Sequence, residues 1–193
     1  MKKLFNKISA PQIIIEFVSV VFAVLLALGL NSYKESITQE NNAQKLKAAI
    51  LSECQMNLRK IDSVLIKNRH YAVFLDSVVS LPNDQVSGFY FTYDYELLTN
   101  GAWQIAQNNE AINTLDQDFL MEAADLYQIQ SFYTDFSKGV FEEIGVFLAR
   151  KNELKEANLA LSMYYNLSIM NNSAQDLQED LNQFITKHGH SEE

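Results

Sequence analysis

The chain has 193 residues, a formal net charge of −9 and hydrophobic residues at 48%. That is enough for an anchor plus one domain of roughly 150 residues. The acidic balance and dispersed Lys and Arg exclude a phosphate backbone as partner, so no nucleic-acid role is expected. Two prolines and six glycines favour long helices over a many-turned β fold. The single cysteine, Cys54, permits no intrachain disulfide and leaves the redox compartment open.

Residues 1–11 form a short basic N-terminus with Lys2, Lys3 and Lys7. The run from Ile13 to Leu30, IIIEFVSVVFAVLLALGL, is apolar except for Glu16 and Ser19. At about 1.5 Å per residue, a helix of this length spans roughly 27 Å, close to the thickness of a bilayer's hydrocarbon core. Residues 12–31 therefore read as a transmembrane helix, with Pro11 suited to its first turn. The lysines before it place the N-terminus in the cytoplasm and the remaining domain in the periplasm. The competing reading is a cleaved signal peptide, for which Ala27-Leu28-Gly29 offers small residues; the length of the run and its acid oppose that. A buried helix of a soluble protein is the third reading.

Glu16 sets a direction on this helix. At about 100° per residue, Gln12, Ser19, Ala23 and Ala27 all fall within roughly 60° of it. The stripe thus combines an amide, an acid and small residues, while Phe17, Val18, Val21, Phe22, Val24, Leu25 and Leu28 occupy the other faces. Small residues admit a neighbouring helix closely, and polar groups bond across such a contact. The stripe is therefore a candidate packing surface for another transmembrane helix, from a membrane-complex subunit or a second copy. Two alternatives stand beside it. Glu16 lies about 6–8 Å past Pro11, shallow enough to snorkel to the headgroups or pair with Lys7. It is also a candidate ion or proton relay.

Residues 32–81 read as an amphipathic helix or stalk. Leu46, Ile50, Leu58, Ile61 and Leu65 recur at helical spacing, with Asn57 on the same face; the repeat is too irregular to predict a coiled coil. Leu81-Pro82-Asn83-Asp84 and Ser87-Gly88 break the helix. A bundle domain over 82–187 follows. Its first part, FYFTYDYELL, predicts a loop and then a helix capped by Thr92, with Tyr95 and Glu96 in its first turn; a short strand over 88–92 is the alternative. After the Asn100-Gly101 turn, a helix is expected to run to Leu115. Asp116 is the expected N-cap of a long helix over 117–152 that Gly139 and Gly145 weaken without ending. A last helix over 154–187 carries Asn171-Asn172-Ser173 as an expected interruption. Residues 188–193 should form a flexible tail. The fold class is all-α: one transmembrane helix and a helical bundle.

Chemistry-bearing patterns are sparse. No phosphate loop, zinc spacing or nucleophile elbow occurs, so neither enzyme activity nor a cofactor or metal is expected. Cys54 reads as a small buried side chain. Trp103 with Gln104, Gln107 and Asn108 is the densest cluster of amides around the only tryptophan. Such a cluster suits a partner or ligand contact, because the ring stacks while amides set orientation; a core anchor beside a solvated face is the other reading.

Two stretches, EFVSVVFAVLLALGLNSY and GAWQIAQNNEAINTLD followed by DLYQIQ, together resemble a group of uncharacterised single-pass bacterial membrane proteins. Those proteins have a short basic N-terminus and a helical C-terminal domain, and the AWQ-x-A-Q element is the more specific part. The resemblance implies the anchor and the helical class, and no activity or functional residue. The expected function is that of a membrane-anchored interaction or scaffold protein, an accessory subunit of an inner-membrane complex. A single-pass periplasmic ligand sensor with a signalling partner, or an ion-coupled subunit using Glu16, are the alternatives.

Overall fold

The computed structural model describes residues 10–82, 85–86, 95–149 and 156–189, with side chains described from 14 in the first helix and up to 146 in the third. Helix α1 runs without a break from Ala10 to Val79, 70 residues and about 105 Å at the standard rise. Helix α2 is Gly101–Gln107, a 3-10 turn covers Glu110–Thr114, α3 is Gln117–Ala149 and α4 is Glu156–His188. Among the described residues there is no strand, and the architecture is all-α.

The first part of α1 stands alone. An 18-residue window within it has a mean hydropathy of 2.3 and none of it is buried, so the helix is long and apolar enough to cross a membrane. The helix stays exposed until Ala43, the first buried residue. From there α1 is a full member of the bundle. Ala43, Ile50, Asn57 and Val64 recur every seven residues, and Cys54, Ile61, Asn68 and Leu75 form a second seven-residue row beside them, all buried. α3 repeats the device with Phe119, Leu126, Tyr133 and Val140 alongside Ala123, Gln130, Ser137 and Ile144. α4 does so with Ala160, Leu167, Ala174 and Leu181 alongside Met163, Met170, Leu177 and Phe184. These are the heptads of interlocking helices.

Direction follows from who meets whom. Tyr127 reaches Glu53 and Gln130 reaches Asn57, so α3 rises parallel to α1. Phe184 packs on Phe119 and Gln178 bonds Asp62, so α4 descends against both. One apolar cluster, from Ala43 to Ile61 on α1, lies at the end near the free part of α1; a second, with Leu75, Val140, Ile144, Met163 and Leu167, lies at the far end.

Several expectations are corrected. Residues 43–79 share the bundle core, so the boundary drawn near 81 does not separate a stalk from a domain. Residues 95–100 are not helical, because side chains from α1 and α3 take the backbone groups there; Thr92 and the strand expected at 88–92 lie outside the described residues. The helix expected from 101 to 115 is split at Asn108-Asn109. Asn108 Nδ2 donates to the Gln104 carbonyl, and Asn109 accepts the Ala111 N–H to start the 3-10 turn. α4 continues through Asn171–Ser173 unbroken, since Met170 and Ala174 keep it seated in the core. His188 is not part of a loose tail: it ends α4 in contact with α3. Two other expectations agree with the structure. Asp116 Oδ1 accepts the Phe119 N–H at 3.0 Å as the N-cap of α3. α3 passes through Gly139 and Gly145.

Candidate functional site

The stripe expected to pack within the membrane is open. Glu16, Ser19, Ala23 and Ala27 are exposed, and nothing in the described chain covers them; Gln12 lies in α1, its side chain outside the described residues. Because α1 is one uninterrupted helix, its facing can be followed upward. At about 100° per residue the stripe lies roughly 120–200° around the axis from Ala43, the first residue buried in the bundle. It therefore points away from the bundle. The same outward face continues through Ala48, Ser52, Arg59, Ile66 and Val73, all exposed.

The tryptophan cluster divides. Trp103 is half-buried and stacks on Tyr127, centroids 5.5 Å apart and planes at 10°. It is thus an anchor against the core cluster. Gln104, Gln107 and Asn108 are exposed, and Gln104 Nε2 donates to Asn100 Oδ1 at 3.1 Å.

A polar layer that the sequence did not announce lies beneath Trp103. Asn57, wholly buried, donates to the Thr99 carbonyl at 2.7 Å and to Gln130 Oε1 at 2.9 Å. Its Oδ1 accepts the Thr99 N–H at 3.0 Å. Gln130 Nε2 donates to the same carbonyl at 2.8 Å, and Lys60 Nζ to the Leu97 carbonyl at 2.7 Å. The two amides therefore hold the main chain of Thr99, whose hydroxyl also donates to Asn57 Oδ1 at 3.2 Å, while Lys60 holds that of Leu97. One turn lower, buried Glu53 accepts the Tyr127 hydroxyl at 2.6 Å and the Ala102 N–H at 3.1 Å. Asn100 makes no side-chain cap, so Glu53 caps α2 from across the bundle, where a carboxylate suits the helix's N-terminal end. Burial, then Cys54 and Glu53, push the Tyr127 phenol well above its usual range. Burial pushes the Cys54 thiol up to about 12. Both groups are thus neutral at physiological pH, and Cys54 is no nucleophile.

At the lower end of the bundle, Glu122 on α3 takes Lys187 and His188 together, the latter through Nε2 at 2.8 Å. The imidazole sits in an aromatic slot, 5.1 Å from Phe119 and 4.9 Å from Phe184. The Lys187 and His188 bonds hold the Glu122 carboxyl below its usual value, and Glu122 in turn raises Lys187. Open grooves line the helix seams. One of about 390 Å³ between α1 and α4 is bordered by Asp62, Arg69, Asn171 and Gln178. Among the described residues no three His, Cys, Asp or Glu side chains converge.

No protein-family model matches the chain, and neither a curated protein nor a solved structure matches it.

Proposed function

We propose that the chain is a single-pass bacterial inner-membrane protein, its N-terminus cytoplasmic and its helical domain periplasmic, acting as an interaction or scaffold subunit of a larger membrane complex. The observation that carries this reading is the bare stripe of Glu16, Ser19, Ala23 and Ala27, an ionisable and small-residue surface that no described part of the chain covers. An acid in a lipid-facing span is costly unless protein or water meets it. The orientation rests on Lys2, Lys3 and Lys7 ahead of the apolar run. The rigid passage of α1 into the bundle supports a structural role, because it ties a contact made in the membrane to the position of the whole domain.

Purification in mild detergent with identification of co-eluting proteins tests the reading. Replacing Ala23 and Ala27 by leucine should abolish co-elution while the bundle stays folded, as seen by circular dichroism. Unchanged recovery of partners would refute the stripe as the interface.

A second reading, a ligand sensor, is favoured by one detail. Asn171 Oδ1 is buried on the edge of the α1–α4 groove and accepts no hydrogen bond from the described residues. Saturable thermal stabilisation by a small polar molecule would support it.

A further inference from the structure

Gly139 lies inside α3 on its outward face, where an added Cβ would meet nothing within 4 Å. Glycine within a helix costs stability, and no described residue of this protomer requires it there. Close approach by another molecule would. Phe132, two turns below on the same face, is 68% exposed. We propose that this face of α3 docks the outward face of α1 from a second copy of this chain, side by side in the same membrane. The inference rests on the membrane-anchored reading, because the anchor sets every copy at one height.

Height then fixes which residues meet. Asn57 bonds Gln130 and Cys54 meets Tyr127, both across a separation of 73 residues, so α1 and α3 rise level and parallel. The same offset in a neighbouring copy places Lys45 level with Asp118, Arg59 with Phe132 and Ile66 with Gly139. The first pair is cation with carboxylate. The second seats a guanidinium against an exposed aromatic ring. The third places a 71% exposed isoleucine opposite the residue with no side chain. Among the described residues, the α1 row of Lys45, Ser52, Arg59, Ile66 and Val73 carries no carboxylate, and the α3 row of Asp118, Asp125, Phe132 and Gly139 no cation. A symmetric α1-to-α1 pairing would instead set Lys45 against Lys45 and Arg59 against Arg59. The complementary faces differ, so the contact is head-to-tail and builds a row or ring of copies.

The test uses two differently tagged full-length chains co-expressed in membranes, one bearing Arg59→Cys and the other Phe132→Cys, treated with a short bis-maleimide. Native Cys54 is buried and serves as the unmodified background. A cross-link between the two tags is expected, and Gly139→Leu on the Phe132→Cys chain should remove it while leaving thermal unfolding in place. Equal cross-linking when Tyr165→Cys on α4 replaces Phe132→Cys would mean random collision and overturn the proposal. Cross-links from Arg59→Cys to itself, from Phe132→Cys only to a foreign protein, or none while alkaline washing leaves the chain in the membrane would each overturn it too. Release of the chain by that washing would instead bring down the anchored reading and this proposal with it.

Discussion

Asn57 is the residue on which the middle of the bundle turns. It occupies a heptad position that would ordinarily hold a leucine or valine, yet it spends its amide on the Thr99 main chain and on Gln130. Replacing it with alanine leaves the Thr99 N–H and the Gln130 oxygen without that partner. Such losses cost about 1–3 kcal/mol, and the midpoint of urea unfolding should fall accordingly without a change in slope. Glu122 governs the lower end. Its folded value is depressed by Lys187 and His188, so its contribution is complete above the ordinary carboxylate range and fades as pH falls through the lowered folded value. The protection of amides in the last turn of α4, taken relative to their intrinsic exchange rates at each pH, should therefore fall on acidification below about pH 4, the unfolded carboxylate range. A Glu122→Gln variant should exchange faster already at pH 7 and lose most of that acid response.

Among the elements, what the sequence disclosed depended on range. The start of α3 was legible because Asp116 announces it locally, and the continuity of α1 from 37 to 79 followed from its apolar spacing. The heptads were hidden because polar and small residues fill many of their core positions: Asn57, Asn68, Gln130, Ser137 and several alanines. Even where such a residue falls on the apolar face, as Asn57 does, its side chain gives no apolar signal until a partner distant in the chain is placed beside it. The same holds for residues 95–100, which have local helix signals but spend their backbone groups on α1 and α3. His188 looked like tail because the ring that seats it comes from Phe119, far back in the chain. The anchor stripe was legible as a pattern, but its direction relative to the bundle was not, since that required α1 to be continuous. Gly145, also in α3, has open space where a Cβ would go. Replacing it with alanine should raise stability by about 0.5–1 kcal/mol, seen as a higher thermal midpoint.

The molecule as a whole is a rod with a bundle built onto its upper part. Its apolar lower portion should hold the chain in the membrane fraction through an alkaline wash, and a variant lacking residues 1–31 should appear in the soluble fraction, still helical by circular dichroism. Between Leu30, the end of the apolar run, and Ala43, the first buried residue, α1 is almost wholly exposed. Those twelve or so positions amount to about 18 Å of single helix. With the apolar run placed in a bilayer as proposed, headgroups would occupy roughly 5–8 Å of that length and leave a clearance of about one helix diameter beneath the bundle. In the proposed membrane orientation the domain would be held aloft, like a platform on a single post, rather than rest on the lipid. Asp116, Asp118 and Glu122 on its underside sit farther from the headgroup charges than the screening distance of about 8 Å at physiological salt. Changing the lipid from neutral to anionic should consequently leave the tilt of the post unaltered. A slender segment of another protein has room to pass underneath.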